Sequence, residues 1–112
     1  MINIVALTGR LTADPELRET TKGIKVTSFT IAVPRSYVKP NEKRQSDYIR
    51  IVCWNGTAEF VVKHFKQNSM IGIEGRLTSK DYVDKDGNDR VAIEVVADNI
   101  SFCDRKSYEE EG

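Results

Sequence analysis

Several things are scarce in this 112-residue chain, and each scarcity excludes a class of protein. There are two cysteines, Cys53 and Cys103, with no C-x-x-C and no zinc-ligand spacing. A disulfide framework and a structural zinc site are therefore not expected. There is one histidine, His64, and no residue placed by sequence logic to orient it as a catalytic base. The start, Met1-Ile-Asn-Ile-Val-Ala-Leu-Thr-Gly-Arg10, lacks the basic region and long apolar run of a secretory leader. No window approaches the ~18 apolar residues of a membrane span. A reduced, cytoplasmic protein without membrane attachment is expected. Net charge is also missing: 17 basic side chains face 17 acidic ones. Binding to duplex DNA by bulk charge alone is thereby disfavoured.

That neutrality is uneven along the chain. Residues 1–80 hold 13 Lys/Arg and 7 Asp/Glu, whereas residues 81–112 hold 4 and 10. A basic body can engage a polyanion through a local patch even when the whole chain is neutral. The length suits one domain with a core of its own.

The most informative segment is Ser46-Asp-Tyr-Ile-Arg-Ile-Val-Cys-Trp54. It alternates with period two, the repeat of a strand. Ile49, Ile51 and Cys53 share one face; Tyr48, Arg50, Val52 and Trp54 share the other. Aromatics are common in strands for packing alone. Here, however, both faces carry large apolar groups, and the second sets two rings around a guanidinium. Flat bases would cover such rings, and the cation would meet their phosphates.

The same alternation predicts a first strand over 2–11, with Val5 and Leu7 on one side, and a second over Lys25–Pro34, with Phe29, Ile31 and Val33 buried. Thr20–Gly23 reads as a turn. Residues 36–45 read as a long, polar, basic loop. After Asn55 the period changes: Ala58, Val61, Val62 and Phe65 follow helical spacing. Thr57 is the expected N-cap, and Asn68 the left-handed residue that stops the helix. A strand over 70–82 follows, with Ile71, Ile73 and Leu77 facing in. Asp84–Asn88 is a hairpin turn. The last strand carries Val91, Ile93 and Val95, and Phe102 closes it into the core. Residues 104–112 read as an acidic, disordered tail beyond a single domain over 1–103.

Three strands, a short helix and two strands give an all-β expectation. It is an OB-fold, a five-stranded Greek-key barrel with one helix between the third and fourth strands. Such barrels bind oligonucleotides or oligosaccharides on the face of the second and third strands and in adjoining loops. The fold does not fix the function, so the site must.

Other chemistries fit poorly. Asp84, Asp86 and Asn88 imitate the first calcium ligands of an EF-hand, but its sixth position is Asp89 and its twelfth Val95. Gly72 and Gly75 lie within a strand, with no phosphate-binding lysine after them. No metal and no cofactor is expected. The nucleic-acid reading is better supplied. Tyr37 falls in the basic loop, Tyr48 and Trp54 on the outer face of the third strand, and Tyr82 near the hairpin tip. The phenylalanines fall in the core. Each stacked base is worth roughly 1–3 kcal/mol by truncation, so four rings offer on the order of 4–12 kcal/mol gross. Arg10, Arg35, Arg50, Arg76 and Lys80, with Lys39, Lys43 and Arg44 of the loop, are the cations expected to follow the backbone.

At these residues the sequence resembles the bacterial single-stranded DNA-binding proteins, from Met1 to about Phe102. The resemblance rests on Asn3-Ile-Val-Ala-Leu-Thr-Gly-Arg-Leu11, Asp14-Pro-Glu-Leu-Arg18, Phe29-Thr-Ile-Ala-Val33, Ile73-Glu-Gly-Arg-Leu77 and Asp86-Gly-Asn-Asp-Arg90. It implies a homotetramer of OB-folds that wraps single-stranded DNA in replication, recombination, repair or DNA uptake, with no enzymatic activity. It places Tyr37, Tyr48, Trp54 and Tyr82 at the family's stacking positions and Arg50 and Lys80 at basic ones. Gln67-Asn68 stands where the family usually has Lys-Gly. The family also recruits replication and repair proteins through an acidic tip ending in a hydrophobic pair. The ending Tyr108-Glu-Glu-Glu-Gly112 carries the acid without the pair. Two rival readings stay open: an OB module for RNA or protein, and a small hydrolase using Cys53 and His64.

Overall fold

The computed structural model describes residues 1–36, 39–43 and 45–103. Seven elements follow in order: β1 (Val5–Leu11), β2 (Arg18–Glu19), β3 (Lys25–Pro34), β4 (Ser46–Trp54), α1 (Asn55–His64), β5 (Met70–Val83) and β6 (Asp89–Phe102). The pairings run β1–β5–β6–β4–β3, and β3 returns to β1 through Arg10↔Ala32 and Leu11↔Ile31. Five strands thus form a ring, and the two-residue β2 adds to the outer edge of β3. The all-β OB-fold expected from the strand and helix order is the fold observed.

Alternation explains the interior. Ile31 from β3, Ile51 and Cys53 from β4, Ile71 and Ile73 from β5 and Val95 from β6 all point inward and are buried. Ala58 and Val61 of α1 close one end of this core. Each such aliphatic side chain contributes about 1.5–3 kcal/mol on burial.

The helix departs from expectation at both ends. It begins at Asn55, not after Thr57, and Trp54 occupies the N-cap with no side-chain hydrogen bond. The chain turns out of β4 through Asn55 at φ 55°, a left-handed angle that asparagine tolerates better than most residues. At the far end Phe65 is already extended, although its N–H still donates to the Val61 carbonyl. Its ring remains buried. Asn68 is left-handed, φ 72°, but it shapes the next turn. There its N–H donates to the Leu11 carbonyl, and the Ser69 carbonyl accepts from Leu11 N–H.

The first strand begins at Val5, three residues later than expected, because a side chain replaces the backbone pairing. Asn3 Nδ2 donates to the Leu77 carbonyl, and its Oδ1 accepts from the Leu77 N–H, both at 2.9 Å.

β5 and β6 are the longest strands, pairing from Ile71↔Phe102 out to Val83↔Asp89. They outrun the barrel. Leu77 has the inward parity expected of it but is 47% exposed, because no described residue covers that part of the arm. Val83, Val91 and Ile93 are exposed for the same reason. A bulge breaks the register where Glu74 faces Asn99 and Gly75 faces Ala97, leaving Asp98 unpaired. Gly75 is required there: a Cβ would collide with the Val96 carbonyl oxygen. Phe102, expected in the core, is 53% exposed. Its ring stacks on the outer side of Phe65, with centroids 5.1 Å apart, at the rim of the barrel.

Candidate nucleic-acid interface

The outer surface of β3, β4, β6 and β5 is a continuous sheet face. Register assigns its rows. Ser28, Val52, Val96 and Arg76 form one row across the four strands. Thr30 pairs with Arg50, and Thr78 with Glu94, in the next. Along β4 the rings stand at the two ends of this face. Trp54 is 40% exposed and Tyr48 70%. Six residue steps along the strand separate them by about 20 Å.

Beside Trp54 runs an open groove of about 410 Å³ whose lining includes Arg50, Lys80 and Glu94 and stops short of Tyr48. Val52 points outward with the aromatics, as expected, but lies on the groove floor and is buried. The groove therefore joins an apolar floor, an indole wall and cations. That combination accommodates a base against its ring and a phosphate against its charges.

The cations are not bare. Arg50 Nε meets Glu94 Oε2 at 2.6 Å, and Arg76 Nη1 meets Asp98 Oδ1 at 3.0 Å. Arg35 forks onto Asp47, and that guanidinium holds the Asp47 carboxyl below the usual carboxylate range. Arg10 donates to the Asn68 carbonyl at 2.8 Å. Register sets Arg10, Ala32 and Tyr48 in one row, so Arg10 joins the Tyr48 end of the face. Lys80 lines the groove with no ion pair among the described residues.

Tyr82 stands apart from these. It is 48% exposed on the projecting arm, opposite Arg90. Arg90 Nε binds Asp84 Oδ2 at 2.9 Å, and Asp84 also accepts from the Asp86 and Asn88 amides. These donors hold its carboxyl below the ordinary range, the Arg90 bond most of all. Tyr37 and Arg44 lie outside the described residues, as does the tail over 104–112.

Arg18, Ser28 and Glu94 are among the groove residues that the sequence reading did not assign to the site. Arg18 Nη2 donates to Ser28 Oγ at 2.8 Å. Only the strand parity of Ser28 and Glu94 hinted at their placement; nothing local marked Arg18.

The rival chemistry loses its nucleophile. Cys53 is fully buried, and desolvation pushes its thiol up to about 12. A thiol kept protonated at neutral pH is not an attacking group. His64 packs against Phe60 and Phe102 at centroid distances of 4.6 and 5.7 Å. Among the described residues no cluster of three or more His, Cys, Asp or Glu could hold a metal ion, and no helix is long and apolar enough to cross a membrane.

Comparison with known proteins identifies the family. Residues 2–103 match the single-strand binding protein family. The "Single-stranded DNA-binding protein 2" of Listeria monocytogenes is 42% identical over 112 residues, covering all of this chain and 70% of that protein. The "Single-stranded DNA-binding protein 1" of Staphylococcus aureus strain MSSA476 is 41% identical over 110 residues, covering 98% and 70%. With a match over nearly its whole length and an OB barrel bearing an aromatic, basic face, the chain belongs to the single-strand binding protein family.

Proposed function

We propose that this protein is a non-enzymatic binder of single-stranded DNA that acts without regard to sequence. Bases stack on Tyr48, Trp54 and Tyr82, and on Tyr37 in the basic loop. Lys80, Arg10, Arg35, Arg50 and Arg76 neutralise phosphates beside them. The observation that carries this reading is Trp54, an indole 40% open to solvent at the edge of a groove that also holds Arg50 and Lys80. A ring has little reason to stand there in a free protein, and a base would cover it.

Trp54 is also the sole tryptophan, so the test has a clean signal. Oligo-dT is expected to quench its fluorescence at low salt, and added salt to reverse the quench. An indole indifferent to oligo-dT at low salt would overturn the reading. Competition between poly-dT and poly-U addresses the RNA alternative, since preference for RNA needs contacts to the 2′-hydroxyl.

We extend the reading to assembly. The uncovered side of the β5–β6 arm carries Leu77, Val83, Val91 and Ile93, and a second copy is the natural cover for so much apolar surface. A homotetramer would offer one strand several faces, and the linked contacts would raise avidity above the affinity of one protomer. Sedimentation velocity reads the assembly directly. Protection of single strands during replication, recombination, repair or DNA uptake in the cytoplasm, at the nucleoid, follows from such binding. Replication and repair proteins are the partners to be tested by pull-down with the intact chain.

A further inference from the structure

The groove contains a convergence that stacking does not require. Ser28 Oγ accepts from Arg18 Nη2 at 2.8 Å and from Arg50 Nη2 at 3.1 Å. Two guanidiniums therefore meet at one neutral hydroxyl. Glu94 offsets Arg50, but Arg18 has no carboxylate partner among the described residues. The trio is one negative charge short. Register shows where that charge would sit. Arg18 pairs with Val26, and Val26 pairs with Trp54, so Arg18 lies in the indole's own row, two strand spacings or about 10 Å away.

The geometry points to a phosphodiester subsite formed by Arg18, Ser28 and Arg50, beside the base stacked on Trp54. Guanidinium forks match the paired oxygens of a phosphate, and both retain N–H groups not used by Ser28 or Glu94. The Ser28 hydroxyl keeps its own hydrogen to donate. β2 now has a purpose: two residues of edge strand carry Arg18 to the groove. This subsite rests on the single-stranded DNA reading and adds to it a defined anion position.

The test is a salt titration of oligo-dT binding, followed by Trp54 quenching, with the intact chain and with Arg18→Gln. A contact acting through counterion release alone contributes about 0.7 to the log–log salt slope, about eightfold in affinity at ~50 mM salt and about threefold at ~200 mM. R18Q is expected to lose that much, with a slope shallower by about 0.7. Lys22→Gln, on the neighbouring turn, is expected to change neither. Parental affinity and slope in R18Q overturn the subsite while leaving the DNA reading intact. An equal loss in K22Q also overturns it, because the effect is then diffuse charge. If the parent itself ignores oligo-dT, both readings fall. Arg18 is exposed, and R18Q is expected to melt with the parent. Should it melt early, Arg18→Lys decides: weaker binding with an unchanged slope supports the fork geometry, and parental affinity overturns it.

Discussion

The barrel and the β5–β6 arm are built from the same strands yet obey different constraints. Within the barrel, inward residues such as Ile73 belong to one buried cluster that also takes in Ala58 and Val61 of α1. Past Gly75 the same alternation continues, but Leu77 and Ile93, on the same side as the core residues, are left exposed. The proposed binding face is divided the same way. Trp54 is rooted in the barrel, one residue from the fully buried Cys53, whereas Tyr82 rides on the arm. The difference teaches that strand periodicity assigns a side, and only packing decides whether that side becomes an interior.

The largest expected effect sharpens that contrast directly. Ile73→Ala is expected to cost about 2–5 kcal/mol in denaturant unfolding, as a buried truncation that leaves a cavity. Ile93→Ala in a lone protomer is expected to fall within about 0.5 kcal/mol. A loss at Ile93 that disappears on dilution would show that the arm is covered by another copy.

Next in size is the pair of rings. Trp54→Ala is expected to weaken oligo-dT binding by roughly 1–3 kcal/mol, and Tyr82→Ala by a similar amount if the strand reaches from groove to arm. Anisotropy with labelled oligonucleotide measures both, since the first variant has no indole. A loss confined to Trp54 would break the proposed path. A large fall in melting temperature for Trp54→Ala would show that the indole serves the core.

The smallest effect concerns the arm's tip. Asp84 is held below the ordinary carboxylate range, chiefly by Arg90. Its folded value lies below its unfolded one, so its contribution is present above the normal carboxylate pKa of about 3.9 and is lost as pH falls through the folded value. Amide exchange at Asp86 and Asn88 is expected to quicken over that acidic range while the barrel amides stay protected. Simultaneous loss of protection in both regions would mean that tip and barrel open as one unit.

Much of this was legible beforehand. β3 and β4 were readable to the residue, because alternation is strong and Pro34 and Trp54 bound it. The helix start was not. Thr57 has the chemistry of a cap, but the chain enters α1 straight from the strand through Asn55, and a backbone angle leaves little trace in residue type. Phe102 was misplaced because an apolar residue in phase with a strand can still lie at the rim. The rings of the face were identifiable by type and parity. The neutralisation of the cations was not, because Arg50 and Glu94 are 44 residues apart and meet only through the parallel contact of β4 with β6. For the same reason Arg18 could not be placed beside Trp54: the neighbourhood is made by two successive antiparallel pairings.

The position of Trp54 as both last residue of a strand and cap of a helix has a practical outcome. The only strong fluorophore is bolted to the junction of two elements that pack on one core. Its emission will register loosening of the barrel as readily as arrival of a ligand. Every optical titration of this protein therefore carries a folding readout within it, and a far-ultraviolet dichroism trace recorded alongside separates the two.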